Sequence, residues 1–174
     1  MKSRTTGFTL IEILVVLLIV SIMSGLVIAN MPSMTRTADF ETEVKRLQLV
    51  LELAREEALM QSSEFGFRVN RKRASDAASY SFLIYDDLNQ TWSDYAVPPL
   101  HSHDLPEDMA LFLDVEGEGF SLEESDEEGL PPVMLLSSGE TTPFDLTISL
   151  GRELAVTLRA DGYTRISPVD PDEA

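Results

Sequence analysis

The sequence predicts an α+β fold in which a long N-terminal helix, membrane-spanning in its first half, packs on a C-terminal antiparallel β sheet or two-layer β sandwich. Three observations predict it. A nearly unbroken apolar run fills residues 13–29. Apolar residues then recur at helical spacing, at Phe40, Val44, Leu47, Leu51, Ala54 and Ala58. Beyond Ser63 the period changes to the alternation of strands. In a chain of 174 residues, a membrane segment of this size leaves room for one modest globular domain and no second one.

The N-terminus comes first. Lys2 and Arg4 precede Gly7, then Phe8-Thr-Leu-Ile-Glu12, then the apolar run. A secretory signal peptide would explain the basic end, with Val27-Ile28-Ala29 as its cleavage site. The run is 17 positions long, however, against the roughly 7–15 of a signal peptide's apolar region, and an acid beside it is out of place there. A plain anchor needs about 20 apolar residues and finds them between Phe8 and Ala29, but it gives Gly7 and Glu12 no task. A carboxylate at the bilayer centre costs on the order of 2.5–3.5 kcal/mol, so Glu12 calls for a partner and a purpose. Lys2 and Arg4 orient the segment with its N-terminus in the cytoplasm and the bulk of the chain outside it.

Past the membrane the helix is expected to continue, interrupted by a kink or short break at Pro32, which removes one i to i−4 hydrogen bond. The stripe from Phe40 to Ala58 is read as packing on the chain's own domain, with Glu41, Glu43, Lys45, Arg46, Glu52, Arg55 and Glu56 on other faces. A helix from Phe8 to Gln61 would be about 80 Å long at 1.5 Å per residue. The expected divisions are a leader at 1–7, a transmembrane half-helix at 8–30, an extracytoplasmic half-helix at 31–62 and a β-rich head at 63–174.

In the head, residues 65–70, 80–85 and 92–97 read as three strands, with Asp86-Asp-Leu-Asn89 as the turn before the third. Residues 133–137, 144–150, 153–159 and 163–166 read as four more, linked by tight turns at Gly151-Arg152 and Asp161-Gly162. The stretch 104–128 holds eleven acids and no base and reads as a solvated, mobile loop without EF-hand spacing.

Gly7-Phe8-Thr9-Leu10-Ile11-Glu12 with its apolar continuation resembles the processing motif of type IV pilins and of the pseudopilins of type II secretion. That resemblance implies cleavage by a prepilin peptidase after Gly7, N-methylation of the new N-terminus at Phe8, and retention of the apolar helix. The chemistry is coherent: cleavage frees an amine on Phe8, and Glu12 lies four residues along, on the same helix face. A charged amine and a carboxylate brought together in lipid offset each other's desolvation. The family implies that Glu12 meets the amine of a neighbouring subunit during assembly, while the residues alone leave pairing within one chain open.

A second string, Leu136-Ser-Ser-Gly-Glu140-Thr-Thr-Pro-Phe144 followed by an alternating strand, is similar to the C-terminal signature of the H-type minor pseudopilins and their FimT/FimU relatives. On its own it is a glycine-containing turn between strands, with Pro143 limiting the edge of the next one. The resemblance implies a structural subunit at or near the tip of the type II secretion pseudopilus, which helps export folded proteins across the outer membrane. It implies as partners the other minor pseudopilins of the I, J and K types, the major pseudopilin, the prepilin peptidase and the inner-membrane assembly platform. The implied location is the bacterial inner membrane, single-pass, with the head in the periplasm. A minor type IV pilin is the alternative within the family, and an anchored periplasmic binding domain the alternative outside it. The absence of cysteine and of a basic surface favours the secretion branch.

Composition narrows the chemistry. Formal net charge is −17, and losing Lys2 and Arg4 with a leader removes two further positive charges; such a surface repels nucleic acid and anionic lipid. Without cysteine, no disulfide staples the exported domain. The basic group Arg68, Arg71, Lys72 and Arg73 is read as a hairpin turn or a dock for an acidic neighbour. His101-Ser-His103-Asp104 resembles the opening of a zinc motif, but these are the only two histidines, and Pro98, Pro99 and Pro106 place them in an irregular loop, so no metal site is assigned. There is no nucleophile elbow and no phosphate loop, and Ser137-Ser138 has no identifiable base. No enzyme and no cofactor are expected.

Overall fold

The structure, a computed structural model, describes residues 9–71, 78–119, 130–152 and 154–169, with only the backbone described at 27–35, 71 and 118. Gly7, Phe8, Lys72 and Arg73 lie outside the described residues. Among the described residues one helix, α1 (Leu10–Gln61), is followed by ten strands. The chain divides into two compact units, Met1–Glu41 and Thr42–Ala174.

In the first unit α1 opens at Thr9 and runs without interruption through Pro32, so the expected break is absent. Proline deletes a single intrahelical donor, and the bonds on either side carry the helix past it. Ser21 satisfies its hydroxyl inside the apolar run by donating to the Leu17 carbonyl oxygen at 2.8 Å.

In the second unit α1 becomes amphipathic. Val44, Leu47, Leu51, Ala54 and Ala58 are buried, as the helical spacing predicts. The helix ends at Gln61 with Ser62 in the left-handed region at φ 52° and the Ser63 N–H donating to the Ala58 carbonyl oxygen at 3.2 Å. This is the Schellman arrangement, with serine where glycine is usual.

Two antiparallel sheets follow. The first has the order β3-β2-β1-β7, built from β1 (Phe65–Arg71), β2 (Ala78–Asp86), β3 (Thr91–Tyr95) and β7 (Val133–Leu135), with β4 (His103–Asp104) also pairing with β2. The second has the order β10-β9-β8-β5-β6, from β5 (Met109–Val115), β6 (Glu118–Gly119), β8 (Phe144–Leu150), β9 (Leu154–Ala160) and β10 (Ser167–Pro168). Alternation places Phe65, Phe67, Val69, Tyr80 and Phe82 on one buried face. There the Phe67 and Phe82 rings lie 5.5 Å apart, and Phe65 meets Tyr95 edge-on at 4.9 Å. Leu111, Leu113, Leu146, Ile148 and Leu158 form the buried face of the second sheet. Gly66 has no room for a side chain, because a Cβ there would lie 2.5 Å from the Pro131 ring.

Four expectations are corrected. The acidic stretch is not one mobile loop: residues 109–115 form β5, because Met109, Leu111 and Leu113 alternate inward while Ala110, Phe112 and Asp114 take the other face, and Glu116-Gly117, both at positive φ, turn it into β6. Residues 120–129 lie outside the described residues. His103 and Asp104 are not in irregular chain but pair with Tyr80 and Ser79. Residues 163–166 are not a strand. The Asp161 carboxylate accepts from the Tyr163 and Thr164 amides at 2.9 and 2.7 Å, which curls the chain into a loop, and Asp161-Gly162 is therefore not a tight hairpin link. The returning strand is β10 instead.

Polar groups on α1 bind the loops beside it. His103 Nε2 lies 2.9 Å from Glu43 Oε2, the Gln48 amide donates to the Ile166 carbonyl oxygen at 3.0 Å, and Glu52 accepts from the Ile166 amide. Burial pushes the Tyr80 hydroxyl up to about 12, with nearby Arg46 pulling the other way. Its ionised form is disfavoured in the folded chain, so the stability it contributes is complete below about pH 10 and is lost as pH rises toward 12. Tyr80→Phe should therefore flatten the fall in stability across that window, as read from urea midpoints of the full chain in detergent at successive pH values. Replacing Ser62 by glycine should relieve the left-handed strain and raise stability by about 1 kcal/mol in the same measurement.

Candidate functional site

Two groups of residues emerge as sites: the start of α1 and the loop over residues 136–144. At the start of α1 the sequence Thr9-Leu-Ile-Glu12 has the S/T-x-x-E spacing of a capping box. The Glu12 amide donates to the Thr9 hydroxyl at 3.3 Å, and the Thr9 amide donates to Glu12 Oε2 at 3.4 Å. Two of the amides that a helix start leaves without partners are thereby satisfied. The carboxylate is held at the positive end of the helix dipole, where negative charge is favoured. Sequence reasoning singled out Glu12 and missed Thr9, although the spacing was there to read. Phe8, whose amine was the expected partner of Glu12, lies outside the described residues.

Around and beyond this cap the apolar side chains are exposed on every side of the helix, from Leu10 at 80% through Leu14 at 59% and Leu18 at 60% to Leu26 at 61%. A helix apolar all round is built to be covered, by lipid or by other helices. Among the described residues no helix is long and apolar enough to cross a membrane. Within the apolar run the described side chains reach Leu26, whereas the run continues in sequence to Ala29.

The second group is a latch. Glu64, just past the end of α1, accepts from the Ser137 amide at 3.0 Å and from the Ser137 hydroxyl at 2.7 Å. Arg55 Nε donates to the Gly139 carbonyl oxygen at 3.0 Å, and its Nη2 donates to that of Tyr163 at 3.3 Å. Gly139 sits at φ +89°, and a Cβ there would come within 3.2 Å of Leu59. Both of its features, positive φ and close approach to the helix, call for glycine. Ser137 thus binds the Glu64 carboxylate through both its amide and its hydroxyl, while the Ser138 hydroxyl accepts from the Glu140 amide, and the string ties the end of α1 to the sheets. The Thr141 amide extends the tie by donating to the Gly162 carbonyl oxygen at 2.8 Å.

The remaining candidates resolve into structure. His103 pairs with Glu43 as described, and among the described residues no three metal-ligating side chains converge. Arg68 pairs with Asp94 at 3.3 Å across the first sheet. The side chains of Arg71, Lys72 and Arg73 lie outside the described residues.

Comparison with known proteins bears on both groups. The model of the prokaryotic N-terminal methylation motif matches residues 2–28, and that of the type II transport protein GspH matches residues 43–162. The second match takes in most of the chain and the whole string from Leu136 to Phe144. This chain belongs to the GspH family. The type II secretion system protein H of Pseudomonas aeruginosa is 31% identical over 90% of this chain and 91% of its own length. The protein of that name from Vibrio cholerae is 30% identical over 98% and 99%. Crystallography of the minor pseudopilin EpsH from the type II secretion system of Vibrio cholerae gives a solved fold that superposes with a TM-score of 0.57 at 25% identity, covering 77% of this chain and 97% of that one. A second structure of EpsH aligns with a TM-score of 0.56. The GspH family is one of minor pseudopilins of type II secretion, which are structural subunits, and its N-terminal motif implies inner-membrane anchoring and a place in a periplasmic pseudopilus.

Two outcomes test the geometry. Thr9→Ala removes half of the capping box at a local cost of about 1 kcal/mol, so the amide of Glu12 should exchange hydrogen about fivefold faster in detergent-solubilised full chain. Gly139→Ala should lower the stability of the head by about 1–3 kcal/mol, read as a fall in the thermal midpoint, through left-handed strain and contact with Leu59.

Proposed function

We propose that this GspH-family chain works at or near the tip of the pseudopilus, entering the fibre through its N-terminal segment and presenting its β-rich head in the periplasm. Gly7 is the last residue of a cleaved leader, Phe8 the methylated N-terminus, and Glu12 the carboxylate that receives the Phe8 amine of a neighbouring subunit. The transmembrane portion covers residues 8–30, and the N-terminus faces the cytoplasm before cleavage. The I-, J- and K-type minor pseudopilins and the major pseudopilin are the partners within the fibre, while the prepilin peptidase and the inner-membrane platform act on the chain before and during assembly.

The observation that carries this reading is the join between the motif and the cap. Glu12 belongs to a string that matches the methylation motif, and it stands at the third position of a helix whose surrounding side chains are apolar and exposed. An acid needed only as a cap could be replaced by glutamine at little cost, whereas an acid that receives a neighbour's ammonium group could not. The reading therefore separates Glu12→Gln from wild type by assembly and not by folding.

The mass of the mature N-terminal peptide from the native host should correspond to a chain that begins at Phe8 and carries one added methyl group. An intact Met1, or a start at Asn30, would contradict the proposal. Glu12→Gln should remain inserted and processed while its co-assembly with partner subunits falls by about tenfold or more, measured by co-purification of cross-linked fibres.

A further inference from the structure

The outer face of the second sheet carries a feature that assembly through the N-terminal segment does not use. Register aligns Phe112, Thr147 and Thr157 in one cross-strand row and Asp114, Asp145 and Arg159 in the next. Both rows lie on the side opposite the buried Leu113, Leu146 and Leu158. They floor a groove of about 860 Å³, lined at the β6 side by Gly119 and at the β10 side by Pro168 and Val169.

Phe112 is 58% exposed within this groove, on a strand whose neighbours Leu111 and Leu113 are buried. The Thr147 and Thr157 hydroxyls lie 2.8 Å apart and bond to each other, which withdraws them from competition for a ligand. The ring and this self-satisfied floor make an apolar seat.

One end of the groove continues into a recess of about 360 Å³ lined by Asp114, Glu116, Asp145 and Asp161, with Arg159 as the cation among its lining residues. Arg159 is already committed: its Nε and Nη2 reach the two carboxylate oxygens of Asp145, each at 2.7 Å. That grip holds Asp145 below the usual carboxylate range and keeps it ionised. The amides and hydroxyl that Asp161 accepts from do the same there. Four carboxylates against one guanidinium leave the recess negative at neutral pH. Since no three metal-ligating side chains converge among the described residues, the field is spread along the rim and suits an extended cationic side chain.

We propose that this face docks a segment of a partner protein in which an apolar side chain, seated against Phe112, stands within a few residues of a lysine or arginine that lies along Asp114 and Glu116. An aromatic anchor beside complementary charge is the common composition of a binding hot spot, the ring supplying affinity and the charge supplying orientation and rate of encounter. A second copy of this chain is a poor occupant, because a net charge of −17 opposes the approach of two such heads. The proposal stands whether or not Glu12 receives a neighbour's amine, since its residues lie wholly on the second sheet.

The test uses the full mature chain in nonionic detergent and two fluorescent peptides, acetyl-Gly-Leu-Phe-Gly-Lys-Arg-Gly-amide and the same peptide with Glu-Asp in place of Lys-Arg. By fluorescence anisotropy the cationic peptide should bind about tenfold or more tighter than the acidic one. Its affinity should fall as added salt shortens the Debye length from about 30 to about 8 Å. Phe112→Ser should weaken both peptides by about fivefold or more, and Asp114→Lys combined with Glu116→Lys should remove or reverse the preference for the cationic one. All three positions are exposed or half-buried on the outer face, so unchanged circular dichroism and thermal midpoints should accompany the losses. Equal binding of the two peptides, binding that survives all the substitutions, or self-association of the chain that Phe112→Ser abolishes would each overturn the proposal.

Discussion

Everything in the head depends on the burial of one stripe along α1. Val44, Leu47, Leu51, Ala54 and Ala58 are each at most 8% exposed, and a chain without cysteine has only such packing to hold an exported domain together. Burying a valine or leucine is worth about 1.5–3 kcal/mol, but ordering the chain costs nearly as much as the whole core returns. Beside the fully buried Ala54 and Ala58 of that stripe, Leu59 leaves position 139 little room for a side chain. The packing of the helix thus reaches a loop some eighty residues later in the chain.

The polar residues flanking that stripe divide the loops among themselves. Glu43 takes the β4 segment through His103, Gln48 and Glu52 take the backbone of Ile166, and Arg55 takes the carbonyl oxygens of Gly139 and Tyr163, while Glu64 takes Ser137. These are charged or amide groups that hydrogen-bond backbone amides and carbonyl oxygens or, at His103 and Ser137, a side chain, an arrangement that costs little when complete and a great deal when one buried partner is removed. The family signature of this chain is therefore an architectural tie. Of its serines, Ser137 holds the Glu64 carboxylate at the end of the helix and Ser138 accepts from the Glu140 amide within the turn.

The strands with one buried face were legible because alternation is a local signal: Phe65, Phe67 and Val69, or Leu146 and Ile148, announce themselves within a few residues. β5 was not legible, because Met109, Leu111 and Leu113 are embedded in the most acidic stretch of the chain, and the charge pattern of the surface hid the apolar period of the core. The loop at 161–166 deceived in the opposite direction, since Tyr163 and Ile166 look strand-like, and only the Asp161 side chain, binding two amides, shows that the chain curls. At the N-terminus the motif was fully legible, but its physics was read by half. The acid was noticed for its cost in lipid, and the threonine three residues earlier, which holds it in place, was not. The ties between α1 and distant loops have no short-range signature at all, because each joins residues separated by tens of positions.

Cap and family motif meet at Glu12. The capping box fixes the carboxylate at the start of an apolar, exposed helix, and the proposed cleavage after Gly7 would supply an amine four residues earlier in each subunit. Solid-state NMR on assembled fibres decides whether they join, with the Glu12 carboxylate of this chain labelled with carbon-13 and the N-terminal amines of the neighbouring subunits labelled with nitrogen-15. A dipolar coupling between the two labels, corresponding to a separation of about 4 Å or less, is the predicted result. A coupling that arises only when both labels are placed in the same chain, or none in either arrangement, would contradict it.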